Sequence, residues 1–445
     1  MNRNALLAAP ALALLAACAQ TPPAPALAAI GAPVACPAQV GPGVRCFAGR
    51  DETGAYVWFA MPERWNGTLV VHAHGGPELG PPKSERTAQD LTRWAVFANH
   101  GYAWAGSSFR QGGVAVRSAA EDTERARQLF VAQFGAPKFT LLHGQSWGAS
   151  VAARAGEMFT RTADGKPPYD AVLLTSGVLG GGTKSYDFRL DLRVVWEAVC
   201  GNHPRPDEPA YPLWQGLPEG STLTRPELAR RVEECTGVRL KREQRSAAQQ
   251  KRLDTILAAV KIPERSLVGH LNWGTWHFQD VVTKRTGGRN PFGNVGVHYP
   301  GTLEDGTPLD AKVARYAADP QAVAAFGADT DPQGRIPVPV LTMHAIDDPT
   351  AFVELESTFR DTMTRAGTAD HLVQVFTADH EHSYLSDPQY LAAAEALIGW
   401  ARGAAKPTPE QVALRCAALE ASAGPGCRIR PDYRPAPLSA RVPAR

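Results

Sequence analysis

Gly144-Gln145-Ser146-Trp147-Gly148 sets one serine between two glycines four residues apart. The pattern alone is weak, but its surroundings are informative. The apolar run Phe139-Thr140-Leu141-Leu142-His143 precedes it, and Ala149–Phe159 follows with the spacing of a helix. A serine on a sharp strand-to-helix turn has its hydroxyl exposed above the carboxyl end of the strand, and flanking glycines remove Cβ clashes within the turn. Such a serine becomes a nucleophile when a base, an orienting carboxylate and donors for an oxyanion meet it in space. A second chemistry is also conceivable from the residues. His72-x-His74 and His380-x-His382 each put two imidazoles on an extended segment, with Asp347 and Asp348 available to complete a metal site. His74 is followed by Gly-Gly-Pro and not by the Asp-His of a binuclear motif, so the expectation is serine chemistry, with no metal and no cofactor.

These groups need a scaffold. Thr68–His72, Tyr102–Ala105, Thr140–His143, Ala171–Thr175, Val340–His344 and Val373–Phe376 are short apolar runs between turn residues, as strands buried on both faces should be. Helical patterns lie between them over Ser84–His100, Ala119–Phe134, Ala149–Thr160, Phe352–Ala366 and Tyr390–Arg402. Alternating strand and helix predicts an α/β fold with a mostly parallel sheet and helices on both faces. From about residue 180 to 335 the alternation fails. Leu228–Glu234, Ser246–Val260 and Ala311–Ala318 carry helical patterns without convincing strands, which reads as an inserted, largely helical cap. The expected division is a signal peptide at 1–17, a tether and N-terminal extension at 18–50, core at 51–183, cap at 184–335, core again at 336–405 and a C-terminal extension at 406–445.

With its strand–turn–helix context, the GQSWG segment resembles the α/β-hydrolase superfamily, whose chain order is Ser, then Asp or Glu, then His. That resemblance implies the fold and points to the other site residues. Val338–Pro349 looks like the late strand and loop that carry the acid, which falls on Asp348, four residues after His344; Asp347 stands beside it. Ala345 replaces the glycine usual after that histidine. The base comes after one more strand, where His380 and His382 compete. His382 is preferred because it lies seven residues before Gln389, which matches the family's spacing to the last helix, although Glu381 stands where glycine is usual. His74-Gly75-Gly76-Pro77 is similar to the family's early His-Gly motif and implies Gly76 N–H and Trp147 N–H as oxyanion donors. HGGP with GQSWG also resembles the proline iminopeptidase group, whereas Ser107-Ser108-Phe109-Arg110-Gln111-Gly112-Gly113 departs from it and looks like a set of exported α/β-hydrolases. The resemblance covers the core strands and catalytic loops, not the cap.

The chain also carries an address. Arg3 precedes the apolar run Ala5–Ala16, too short to span a bilayer, which ends in Leu15-Ala16-Ala17-Cys18. That tetrapeptide resembles the lipobox of bacterial lipoproteins and implies lipidation at Cys18, with the protein periplasmic or on the outer membrane, held by a lipid anchor. Six other cysteines remain: Cys36, Cys46, Cys200, Cys235, Cys416 and Cys427. An even number in an exported chain suggests disulfides; 15 pairings are open, and neighbour pairing is the simplest. With 46 Lys+Arg against 44 Asp+Glu in 445 residues, the formal charge is +2, which excludes nucleic-acid binding through a global basic field.

Substrate choice belongs to the cap. Trp196, Trp214, Trp273 and Trp276, with Phe278, Phe292 and Tyr299, either line an apolar acyl pocket or pack the cap's own core. The basic stretch 225–265 reads as a solvated helix face. The expected activity is cleavage of small-molecule carboxylic esters by Ser146, with an exopeptidase or amidase as the alternative and a non-catalytic surface lipoprotein as a third reading.

Overall fold

The computed structural model describes residues 31–445 except 163; the leader and Cys18 lie outside the described residues. Nine strands form one sheet: β1 Pro33–Val34, β2 Val44–Arg50, β3 Tyr56–Pro62, β4 Thr68–Ala73, β5 Ala103–Ser107, β6 Phe139–Gln145, β7 Ala171–Thr175, β8 Val340–Ala345 and β9 Leu372–Thr377. Their order is β1-β2-β3-β5-β4-β6-β7-β8-β9. Pairings from β1 to β5 through β3 are antiparallel, and those from β5 through β4, β6, β7 and β8 to β9 are parallel. With its strand-to-helix crossovers, this is an α/β-hydrolase sheet, as the motif resemblance implies.

The alternation of the strand side chains fixes both layers. Leu69, Val71 and Ala73 of β4, Leu142 of β6 and Val172 and Leu174 of β7 belong to one apolar core with helices Val116–Phe134 and Trp147–Met158. Val70, Leu141 and Leu173, the residues between them, belong to a second core with Trp94, Phe97 and helix Asp387–Ala401. Period-2 geometry sends neighbours to opposite faces, so continuous apolar runs are what a sheet covered on both sides requires. Each fully buried Leu or Val contributes roughly 1.5–3 kcal/mol.

The structure departs from the sequence reading in three places. The sheet extends through β1, β2 and β3, strands absent from the sequence reading, and β1 and β2 lie before residue 51. The Ser84–His100 pattern forms two helices, Ser84–Arg93 and Ala95–Asn99, because Trp94 leaves helical geometry and packs its fully buried ring 4.3 Å from His72. The Ala311–Ala318 pattern yields only a 3₁₀ turn at Leu309–Ala311. There the side chain of Asn294 accepts the Tyr316 N–H and donates to the Ala314 carbonyl, which takes helix-forming groups away from the ladder. The helix starts instead at Pro320, with Asp319 accepting from the N–H groups of Gln321 and Ala322.

Between β7 and β8 the described residues add no strand to the sheet. Helices Phe188–Cys200, Arg225–Thr236 and Ala247–Val260 and the helical stretch Leu267–Arg285 dominate this region. Its aromatics mostly form its own core: Trp196, Phe278 and Phe292 are fully buried, Tyr299 almost so, and Phe278 stacks on Phe292 at 3.9 Å. The acyl-pocket option therefore does not apply to these four. Part of the basic stretch is ion-paired, Arg230 and Arg231 with Glu227, Arg245 with Glu264 and Arg252 with Glu304. The C-terminal helix Pro409–Ala423 packs on helix Asp387–Ala401, and Arg445 forms ion pairs with Asp187 and Asp191.

Three disulfides join Cys36–Cys46, Cys200–Cys235 and Cys416–Cys427, the neighbour pairing. Cys200–Cys235 ties helix Phe188–Cys200 to helix Arg225–Thr236 and closes the longest loop, with a separation of 35 residues. Converting both cysteines to serine is expected to lower stability by about 3–4 kcal/mol, read as a shift of the denaturant midpoint; no shift would mean that this crosslink does not constrain the unfolded chain.

Candidate active site

Ser146 sits at φ 58°, ψ −123°, between the end of β6 and helix Trp147–Met158. A left-handed conformation costs a non-glycine residue of order 1–3 kcal/mol and persists only when its surroundings enforce it. Here they do. The Ser146 N–H donates to the Thr175 carbonyl at 2.9 Å, and its own carbonyl accepts from the N–H groups of Ala149 and Val178. A Cβ on Gly144 would lie 2.2 Å from the Gly148 carbonyl oxygen, and one on Gly148 would lie 2.1 Å from that of Ala73. Both glycines of the pattern are therefore steric requirements of the turn.

Oγ of Ser146 lies 2.7 Å from Nε2 of His382, and Nδ1 of His382 lies 2.7 Å from Oδ2 of Asp348. Ser146 and Asp348 are buried, while the His382 side chain is about one-fifth exposed. The competing pair does not join them. His380 and Asp347 bond to each other at 2.9 Å on the surface, both more than half exposed. Sequence spacing thus selects the pair that meets Ser146.

Asp348 is held from behind. Its Oδ1 accepts the N–H groups of Thr350 and Ala351, and Oδ2 lies 3.5 Å from Nε2 of fully buried His344. Nδ1 of His344 donates to Glu356 at 2.9 Å, and Glu356 also accepts from Thr342 and Gln374. Burial opposes protonation of His344, but hydrogen bonds and charge from Asp348 and Glu356 outweigh it and raise its pKa to about 10. Burial would likewise push Asp348 up; the charge of His382 and the hydrogen bonds from His344 and His382 hold it well below the usual carboxylate range. Arg265, from the helical insertion, donates to the Asp347 carbonyl at 3.0 Å and to the His380 carbonyl, tying the loop of the acid to the loop of the base.

Gly76, at φ 68°, is exposed, and among the described residues its N–H has no protein acceptor. Trp147 is the first residue of its helix, so its N–H has no intrahelical acceptor. The preceding peptide is oriented. The Gly75 carbonyl accepts from Arg86 and from Nδ1 of His74, and a trans peptide directs the Gly76 N–H away from that carbonyl. One residue on, His277 donates Nε2–H to the Pro77 carbonyl at 2.9 Å, which leaves its buried Nδ1 without a partner.

Two histidines that sequence reasoning did not select flank the site. His277 lies in a π-helical turn, Trp273–His277, which turns its ring onto Trp273 at 4.7 Å. His270 donates to the carbonyl of Pro349, next to Asp348. Burial, then the charge of Arg189, lower His270 to about 3; burial is also the main cause for His277, lowered to about 4. His72 and His74 point elsewhere: His72 bonds His143 at 3.0 Å under Trp94, and His74 stacks on Phe109. Among the described residues no group of three or more His, Cys, Asp or Glu side chains could hold a metal ion.

The chain has distant likenesses to solved structures. Feruloyl esterase B from Aspergillus oryzae matches with 12% identity over 84% of this chain and 85% of that one, at a TM-score of 0.42. A rice cell wall degrading esterase from Xanthomonas oryzae matches with 13% identity over 76% and 83%, at 0.37. A hormone-sensitive lipase from a metagenome library matches with 12% identity over 86% and 87%, at 0.39. No family model matches the chain. No curated protein matches it. Likenesses this distant carry nothing about chemistry, which rests on the distances above.

The His344 network has a pH signature. A group raised from 6.5 to about 10 on folding stabilises fully below pH 6.5, and that stabilisation is lost as pH climbs to about 10. The unfolding free energy of the native chain is expected to fall more steeply across this window than that of His344→Gln, in denaturant titrations at several pH values. Parallel slopes would mean that His344 is not an imidazolium.

Proposed function

We propose that the protein is a serine hydrolase that cleaves carboxylic esters through an acyl-enzyme on Ser146. One observation carries the reading: an unbroken hydrogen-bonded path from Ser146 Oγ through both nitrogens of His382 to buried Asp348. The proton on His382 Nδ1 is directed at Asp348, which leaves the Nε2 lone pair facing the serine hydroxyl. As Oγ attacks the ester carbonyl, Nε2 takes its proton, and the oxyanion forms between the N–H groups of Gly76 and Trp147. The C–O bond to the alcohol breaks, and the proton on Nε2 passes to the departing oxygen. Water repeats the sequence on the acyl-enzyme, giving the acid and free Ser146. Preorganised donors of this kind are each worth roughly 3–4 kcal/mol of barrier.

An exopeptidase that binds a substrate amine would need a free carboxylate facing the site. Three buried acids of the insertion are already engaged: Asp187 and Asp191 with Arg445, and Asp280 with Lys284 and Arg285. That favours esters over aminoacyl amides. A fluorophosphonate probe is expected to label the native chain on Ser146 and not Ser146→Ala, and Asp348→Asn is expected to lower kcat on p-nitrophenyl esters by about 10⁴-fold. Absence of an adduct on Ser146 would remove the reading, and faster turnover of aminoacyl anilides than of esters would replace it with the amidase.

We further propose that the chain is exported and anchored in a membrane through a lipid on Cys18. Support comes from the lipobox-like LAAC sequence and from three disulfides, which persist in oxidising compartments. Labelled palmitate is expected in the native chain and absent from Cys18→Ala; equal labelling of both would refute the anchor.

A further inference from the structure

Arg189 and Arg193 lie one turn apart on helix Phe188–Cys200, both buried, at 4% and 0% exposure. They are treated very differently. Arg193 donates to the carbonyls of Gly216 and Gly274, to Thr275 and to Tyr211. Arg189 donates to the Ser185 carbonyl of its own helix, and the buried Nε of each guanidinium has no partner. Among the described residues no carboxylate forms an ion pair with it; Asp187 and Asp191, beside it in sequence, both serve Arg445. Burial lowers its pKa to about 9, and only Tyr186 works in the opposite direction.

The guanidinium is packed among rings, 4.5 Å from the centroid of Phe188, 4.6 Å from Trp273 and 5.4 Å from Tyr186. Cation–π contact compensates part of the charge but uses ring faces and leaves N–H donors unspent. The same rings place it. Trp273 stacks on His277, which holds Pro77 after Gly76. Phe188 meets His270 at 5.1 Å, and His270 holds Pro349 after Asp348 and feels the charges of both Arg189 and His382. The cation is bracketed between the loop of the oxyanion donors and the loop of the acid.

We propose that Arg189 is a substrate-recognition residue and that the natural substrate carries a free carboxylate a few bonds from its scissile ester. This deepens the serine-hydrolase reading and rests on it. A buried ion without a counter-ion is costly, and a planar guanidinium with spare parallel N–H donors matches a carboxylate in two-point geometry. The substrate supplies the missing negative charge when it binds. The imidazoles on either side, kept neutral by burial, add no competing positive charge.

The experiment compares matched esters on the native chain. On the acyl side, the mono-4-nitrophenyl ester of adipic acid is set against 4-nitrophenyl hexanoate; on the alcohol side, 3-acetoxybenzoate is set against 3-acetoxybenzamide. The anionic member of at least one pair is expected to have a kcat/KM about tenfold or more above its neutral partner, in line with a hydrogen bond to a charged group. In Arg189→Met that ratio is expected to fall to near one, and in Arg189→Lys to an intermediate value. Should the variants fail to fold, adipate and 3-hydroxybenzoate are tested for slowing fluorophosphonate labelling of native Ser146, with hexanamide and 3-hydroxybenzamide as controls. No anionic preference in either pair, or a preference that survives in Arg189→Met, overturns the proposal while labelling and neutral-ester turnover leave the serine hydrolase standing. Loss of Ser146 labelling overturns both.

Discussion

Everything at the site depends on three strand ends lying at one height. Parallel pairing aligns Gln145 of β6 with Thr175 of β7, Thr175 with Met343 of β8, and Ala345 of β8 with Thr377 of β9. Each chain leaves the sheet at the same rim, so loops from positions 146, 348 and 382 converge although more than 200 residues separate the first from the others. The register is set by apolar side chains on two faces, and a slip of one residue would exchange those faces. The hydrogen bonds of Ser146, His382 and Asp348 thus rest on hydrophobic packing two layers deep.

Electrostatics then sharpens what packing supplies. A carboxylate in a dry interior would normally be neutralised by a rise in its pKa. Asp348 escapes this because His344 stands behind it and Glu356 stands behind His344, so that charge alternates through the buried row. Thr342 and Gln374 satisfy the far end. Arg265 and Arg86 do a different task, fixing backbone carbonyls of the loops, with Arg86 also 3.7 Å from Glu78 and from Asp90. The loops of the site are tied at their peptides as well as at their functional groups.

What the sequence discloses follows from this division. Strands buried on both faces write themselves as unbroken apolar runs, and β4 to β9 are readable. β2 alternates only in part, with Arg45 and Arg50 near its ends, and its pairing with β3 depends on a partner that no local pattern announces. Ser146 is legible from its glycines, because the turn excludes any Cβ at 144 and 148. His382 and Asp348 are legible through spacing that resembles a known family. Arg265, His270, His277 and Arg189 leave no such trace. Their roles arise from contacts with segments 80 to 200 residues away, and each would pass in the sequence for an ordinary basic residue on a helix.

The insertion shows why specificity resists reading. Its aromatic content suggests an apolar pocket, yet Trp196, Phe278, Phe292 and Tyr299 are spent on holding the insertion together. Trp273 and Phe188 keep rings between that core and the catalytic loops, and both do so beside a cation. A small helical unit needs large rings merely to be stable, so aromatic composition says little about what it binds. A buried charge is more telling, since the fold gains nothing from it unless something neutralises it. Where the chain itself supplies more acceptors, as around Arg193, the group is structural; where it supplies few and surrounds the cation with rings that contact the catalytic loops, the missing partner is sought in the ligand.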